Sequence, residues 1–188
     1  MKTLKRLLFF IAGIGLLVAC SKSDHFWGDE PLGRTTDPET VTVTVPFSAE
    51  FVTSNSMLEL SRCTGEFIVG FVAEGPGTST HLGNIMFHGE FCVNGLTLEY
   101  YDAVCSFVAA NGDKLFLISG GQMLPADEND PPYYALKWND PFTFTGGTGR
   151  FEGASGGGFT HSYNSNIPGD EVSHHLWTGT ITLVKGKQ

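Results

Sequence analysis

His88, Glu90 and Cys92 fall at alternate positions, so on an extended strand they share one face. A His/Glu/Cys set of that kind has the donors for a metal ion or for acid–base work. The plainer reading is an outward row of polar positions on a half-buried strand. His174 and His175 are neighbours and would point to opposite faces, so they are no chelate. His175 shares its face with Trp177, Ile181 and Leu183, and His161 alternates with Phe159 and Tyr163. His161, His175 and Trp177 together are the expected elements of an aromatic pocket able to orient a small ligand. Hydrogen-bonded core histidines would give the same pattern.

Other chemistry is missing from the sequence. There is no Cys-x-x-Cys, no zinc-type spacing and no serine-hydrolase elbow. The run Phe144-Thr145-Gly146-Gly147-Thr148-Gly149-Arg150-Phe151-Glu152-Gly153 is glycine-rich, but it lacks Gly-Lys-Ser/Thr and a following helical pattern. Gly146, Gly147, Gly149 and Gly153 therefore read as turn and close-packing residues, with Phe151 as a plug into the core. No catalytic residue, metal ligand set or cofactor is expected from these patterns. Cys63, Cys92 and Cys105 leave room for one disulfide. Cys92 and Cys105 flank a hairpin signal at Asn94-Gly95 and would pair across strands; three buried thiols are the alternative.

The elements that must position these residues are strands. Val41, Val43, Val45, Phe47, Ala49 and Phe51 alternate, as do Phe67 to Ala73 and Ile85 to Val93. Further β-branched and aromatic stretches run over 96–107, 115–119, 142–145, 159–163 and 176–184. Turn signals separate them, among them Gly75-Pro76-Gly77, Asn111-Gly112-Asp113 and Pro168-Gly169-Asp170. About eight strands with short connections imply antiparallel pairing. The expected fold is all-β, an eight-stranded antiparallel β-barrel, because closure removes the sheet edges; a β-sandwich is the alternative. The segment 122–132, with Asp127, Glu128 and Asp130, reads as an acidic loop that either lies over a barrel mouth or is simply solvated.

The first residues read differently. Lys2, Lys5 and Arg6 precede an uncharged apolar run from Leu7 to Val18, too short for a bilayer span of roughly 20 residues. Leu17-Val18-Ala19-Cys20 resembles a bacterial lipobox. The resemblance implies a lipoprotein signal peptide at 1–19, lipid attachment at Cys20 and a cell-envelope location. That location would be the outer membrane, with display at the cell surface suggested by the Ser-Lys-Ser-Asp start of an acidic tether over 20–40. The β-domain then occupies 41–188. The leader holds three of the 11 basic residues, so the processed chain would carry eight against 20 acidic ones, a net charge of −12. Such a charge argues against a nucleic-acid partner, which needs a basic face. The membrane would be reached through the lipid.

The glycine motif, together with Thr80-His81-Leu82-Gly83 and Ala109-Ala110-Asn111-Gly112-Asp113, resembles segments of the allene oxide cyclase-like barrel families, and plant dirigent proteins carry a similar Gly-Gly-Thr-Gly-x-Phe. Order and spacing agree over about 79–157. The resemblance implies an eight-stranded antiparallel barrel, and relatives that are often homo-oligomers. Allene oxide cyclases act on a fatty-acid epoxide with a glutamate, an asparagine-held water and a proline near the first strands. This sequence offers Glu50 and Asn55 there, but not Glu-x-Asn followed by Ser-Pro, so only the architecture carries over. Three functions are compatible with the reading: a lipid-anchored protein binding a small apolar or amphipathic ligand in or at the mouth of the barrel; an envelope structural or interaction module; or an isomerase or cyclase.

Overall fold

The computed structural model describes residues 41–186, and the lipobox, Cys20 and the whole 20–40 tether lie outside the described residues. Within them the chain forms ten strands: β1 (Thr42–Leu58), β2 (Val69–Ser79), β3 (Gly83–Val93), β4 (Glu99–Ala109), β5 (Lys114–Gln122), β6 (Leu124–Pro125), β7 (Tyr134–Trp138), β8 (Pro141–Gly147), β9 (Ser155–Ser165) and β10 (Ser173–Val184). Eight of them close a ring. Neighbours β1 to β5 pair in succession, β5 pairs β8, β8 pairs β9, β9 pairs β10, and β10 returns to β1. Every pairing is antiparallel. The short β7 continues the line of β8 along the far half of β9, and β6 hangs on β7. The fold is an eight-stranded antiparallel barrel, as the alternation and turn spacing indicate, and not a sandwich.

Inward positions are large and aromatic on most strands. Phe47, Ala49 and Phe51 of β1 face Phe87 of β3, Phe107 of β4, Leu115 and Leu117 of β5, Phe142 and Phe144 of β8, and Trp177 and Ile181 of β10. The rings meet edge to face or tilted, as Phe51 does against Phe107 at 5.4 Å and Phe47 against Phe144 at 4.8 Å. Alternating Phe with Ala or Gly lets the layers interdigitate inside so narrow a ring.

The two ends differ. At one end the turns are short, and the connection from β8 to β9 folds inward. A short 3-10 turn, η1 (Gly149–Phe151), carries Phe151 into the core, where it is 1% exposed. The backbone here needs glycine. Gly149 has φ +56°, and a Cβ on Gly147 would stand 2.6 Å from that of Phe151. Leu82 and Ala154 complete this closed end. At the other end lie the longer loops 59–68, 94–98, 123–133 and 166–172.

The 59–68 loop lies on the outer wall. A disulfide joins Cys63 to Cys92, which points outward from β3. The expected Cys92–Cys105 bond is thus corrected. A bulge between Glu90 and Cys92 interrupts the β3–β4 register, and Cys105 faces the barrel interior as a buried free thiol, pushed up to about 12 by that burial. Arg62 of the loop binds Glu90 at 3.0 Å and Asp102 at 3.2 Å, and Tyr101 donates its hydroxyl to the Arg62 carbonyl. Cross-linking residues 29 apart in sequence removes loop entropy worth about 3–4 kcal/mol in the chain-entropy model. Cys63→Ser is therefore expected to lower stability by that order, read as a shift of the urea midpoint, with no further loss when reductant is added.

Candidate functional site

The open end of the barrel is a funnel. Its upper part is an open bowl of about 410 Å³ lined by Met57, Val69, Phe71, Val93, Leu98 and Leu136 among others. Below it, a narrower cavity of about 80 Å³ extends into the ring beside Phe87, Ala103, Cys105, Trp138 and Trp177. Asn55, Phe91, Met123 and Asn164 border both spaces and form the neck. Met123 belongs to the acidic segment after β5, so that segment does contribute to the mouth. Its Asp127 and Asp130 hold Lys137 at the surface at 2.8 and 2.6 Å. Leu98, at φ +58°, is held in the left-handed region beside the bowl. Asn94 supports that turn, accepting the amide N–H groups of Leu96 and Thr97 through its side-chain oxygen.

The polar groups of the funnel are few and largely committed to one another. Asn55 and Asn164 each donate an amide N–H to Ser173 Oγ, at 2.7 and 2.8 Å, which leaves their two amide oxygens as acceptors at the neck. Deeper down, His175 lies between Thr53 Oγ1, 3.0 Å from Nε2, and Ser162 Oγ, 2.9 Å from Nδ1. Trp177 Nε1 donates to the same Ser162 oxygen at 3.2 Å. The ring of His175 stacks on Phe51 at 4.4 Å. Burial, with a smaller contribution from His174, pushes its pKa down to about 3, so the imidazole is neutral. Both ring nitrogens are occupied, so His175 is a fixed polar post and not a free base.

On the opposite wall Tyr100 donates its hydroxyl to Asp140 Oδ2 at 3.0 Å. A bulge between Tyr100 and Ala103 turns Tyr100 inward while Tyr101 faces out to the 59–68 loop. Asp140 interrupts the line of β7 and β8, and also accepts the Gln122 amide. Its carboxyl packs over Gly121, where a Cβ would stand 2.0 Å from Cγ. Burial raises the Asp140 carboxyl and holds the Tyr100 phenol well above its usual range. Among the described residues no Asp, Glu, Lys or Arg side chain lines either the bowl or the cavity.

The structure brings together two of the three residues expected to form a pocket. His175 and Trp177 are inside. His161 is outside, and so are Phe159 and Tyr163. The inward residues of β9 are Thr160 and Ser162, set by the pairings Trp177 with Thr160 and His175 with Ser162. This corrects the expectation for His161: polar partners for buried rings occupy the interior of β9, so its hydrophobic residues fall on the solvent side. The His88, Glu90 and Cys92 row faces outward. His88 bonds Glu74 at 2.8 Å, Glu90 takes Arg62, and Cys92 is in the disulfide. Glu50 is exposed, whereas Asn55 reaches the neck. Among the described residues no cluster of three or more His, Cys, Asp or Glu side chains is placed to hold a metal. Sequence reading missed Asn55, Asn164, Ser173 and the Tyr100–Asp140 pair as site residues, because only the closed ring brings them together.

No protein-family model matches the chain, and no curated protein gives a significant match. Solved structures to which the chain is similar include two dirigent proteins. One is the pterocarpan synthase dirigent protein GePTS1, with a TM-score of 0.48 at 12% identity over 78% of this chain and 91% of that one. The other is the pterocarpan synthase dirigent protein PsPTS1, with a TM-score of 0.45 at 9% identity over 77% of this chain and 96% of that one. Likeness at this level transfers no activity, and the barrel assignment rests on the strand pairing itself.

Proposed function

We propose that the chain is a binding protein for a small, uncharged, apolar molecule bearing a hydrogen-bond donor. The observation that carries this reading is the funnel: an apolar bowl and cavity joined at a neck of two asparagine oxygens. A ligand carboxylate or ammonium seated there would be desolvated without an opposite charge, at a cost of several kcal/mol. A hydroxyl would find the amide oxygens of Asn55 and Asn164. The bowl falls within the usual range for small-ligand sites, and the inner cavity admits only a slim end group. His175, Tyr100 and Asp140 are each held by hydrogen bonds within the wall, and burial keeps the free Cys105 thiol protonated, which supports binding over turnover. A lipid on Cys20 would keep the protein at the cell envelope.

The test is displacement of the uncharged fluorophore N-phenyl-naphthylamine from the purified protein. Saturable binding is expected, with decanol competing at least tenfold better than decanoate or decylamine at pH 7. Ala103→Phe, which fills the cavity from β4, should weaken probe binding by at least tenfold. Absence of saturable binding, or preference for decanoate, would sink the proposal.

An interaction role is favoured by a separate observation. Met86, Val104, Phe116 and Ile118 stand exposed on the outer face of β3 to β5, with Val104 directly opposite Ile118. Such a stripe fits association with another protein surface, including a second copy. It does not compete with the funnel, because the two lie on opposite sides of the wall.

A further inference from the structure

The loops at the open end share a property that the funnel does not require. Each carries a large apolar side chain exposed to solvent. Met57 and Leu58 end β1, Ile68 precedes β2, Leu96 tips the β3–β4 turn, Leu124 follows β5, and Ile167 lies in the β9–β10 loop. Leu96 is 95% exposed, and Met57 and Ile68 are each 71% exposed. In the closed-end turns, by contrast, Leu82 and Phe151 are buried; Val41 precedes β1, and the exposed Met86 and Phe116 on the nearby strand segments belong to the outer stripe of β3 to β5. Scattered single apolar residues need no explanation, but a ring of them around a pocket does.

We propose that this ring is a membrane-contacting rim, through which the barrel takes its apolar ligand directly from an uncharged or zwitterionic lipid surface. The proposal rests on the ligand-binding reading of the bowl and adds where the ligand comes from. The rim continues into the bowl through Met57, so a molecule leaving hydrocarbon would pass into the barrel without crossing water. Charge selects the kind of surface. Glu59, Glu66, Glu99, Asp127, Glu128 and Glu171 are exposed at this end. Among the described residues the two basic side chains at this end, Arg62 and Lys137, are both held by carboxylates. An anionic surface would be repelled within a Debye length of about 8–10 Å.

The chain outside the barrel permits the contact. Val41 enters at the closed end, beside Lys185. The stretch from Cys20 to Val41 can span at most ~70 Å, whereas an 11-residue strand such as β2 is ~36 Å long. A lipid on Cys20 would therefore let the mouth turn to the same membrane.

The experiment uses the full-length chain on phosphatidylcholine vesicles, compared with the variant Ile68→Asp/Leu96→Asp/Ile167→Asp. All three positions are exposed and none lines the funnel. Amide hydrogen exchange should slow on vesicles in 57–60, 94–98 and 166–168, remain unchanged in the closed-end turns 80–83 and 110–113, and return to the vesicle-free rate in the variant. Uptake of a pyrene-labelled long-chain alcohol from the vesicles should rise in proportion to vesicle concentration and fall at least tenfold in the variant. Binding of the same alcohol added from buffer should stay within twofold. Replacing one third of the lipid by phosphatidylglycerol should slow uptake several-fold. Protection at the closed end or nowhere, or uptake independent of vesicle concentration, overturns the proposal. Slowing at the mouth that needs no vesicles and grows with protein concentration also overturns it, assigning the rim to a second copy. If the alcohol does not bind from buffer, the ligand reading fails, while the exchange pattern still decides the rim.

Discussion

Replacing Phe107 by alanine is expected to destabilise the barrel by about 3–5 kcal/mol, the range for deleting a fully buried aromatic ring. Phe107 has no exposed surface and sits at the centre of the interior. Its ring lies 5.3 Å from that of Phe87, 5.4 Å from Phe51, 5.9 Å from Trp177 and 6.0 Å from Phe47. These partners come from strands on both sides of the ring, so no single strand can shift to fill the hole. Against a total stability of roughly 5–15 kcal/mol, that loss is a large share. Phe107→Leu keeps most of the volume and should cost less than half as much. The measurement is urea unfolding at pH 7, comparing midpoints at constant slope. A loss below 1 kcal/mol for the alanine variant would mean that the interior is not packed around this ring.

The second large effect is a pH dependence set by His175. Its folded pKa, about 3, lies below an unfolded value of about 6.5. The unfolded chain therefore binds a proton that the folded one excludes. Stability is complete above pH 6.5 and is lost as pH falls through the window from 6.5 to 3. Linkage puts the loss at about 2 kcal/mol between pH 7 and pH 5. The acids Glu90, Asp127 and Asp170, whose pKa values are lowered, add losses of the same sign only below pH 5. Asp140, raised by burial, acts in the opposite sense there. His175→Gln should start from lower stability, having lost the stack on Phe51, and should flatten the curve between pH 7 and 5. A slope unchanged by the substitution would place the titrating group elsewhere.

What could be read in advance divides along physical lines. The alternation of Phe47, Ala49 and Phe51, or of Ile85, Phe87 and Gly89, is local and survives into the barrel because one face must be buried. The glycine motif was legible for the same reason: Phe151 followed by small residues needs a turn that buries it. The inward face of β9 was not legible. Thr160 and Ser162 are polar, and only their partners on β10, His175 and Trp177, make burial favourable. The disulfide was missed because hairpin proximity suggested Cys105, whereas the β3 bulge leaves Cys92 on the outer wall and the 59–68 loop brings Cys63 to it. The neck of Asn55, Asn164 and Ser173 draws on β1, β9 and β10, and ring closure alone sets that proximity.

The most direct test of the ligand-binding account is native mass spectrometry of the protein after exposure to envelope extract, read beside its denatured mass. The expected result is an excess mass on the native protein that is lost on denaturation, belongs to an uncharged apolar compound, and is absent from Ala103→Phe. Equal native and denatured masses, or an excess retained unchanged by Ala103→Phe, would contradict a ligand held in the funnel.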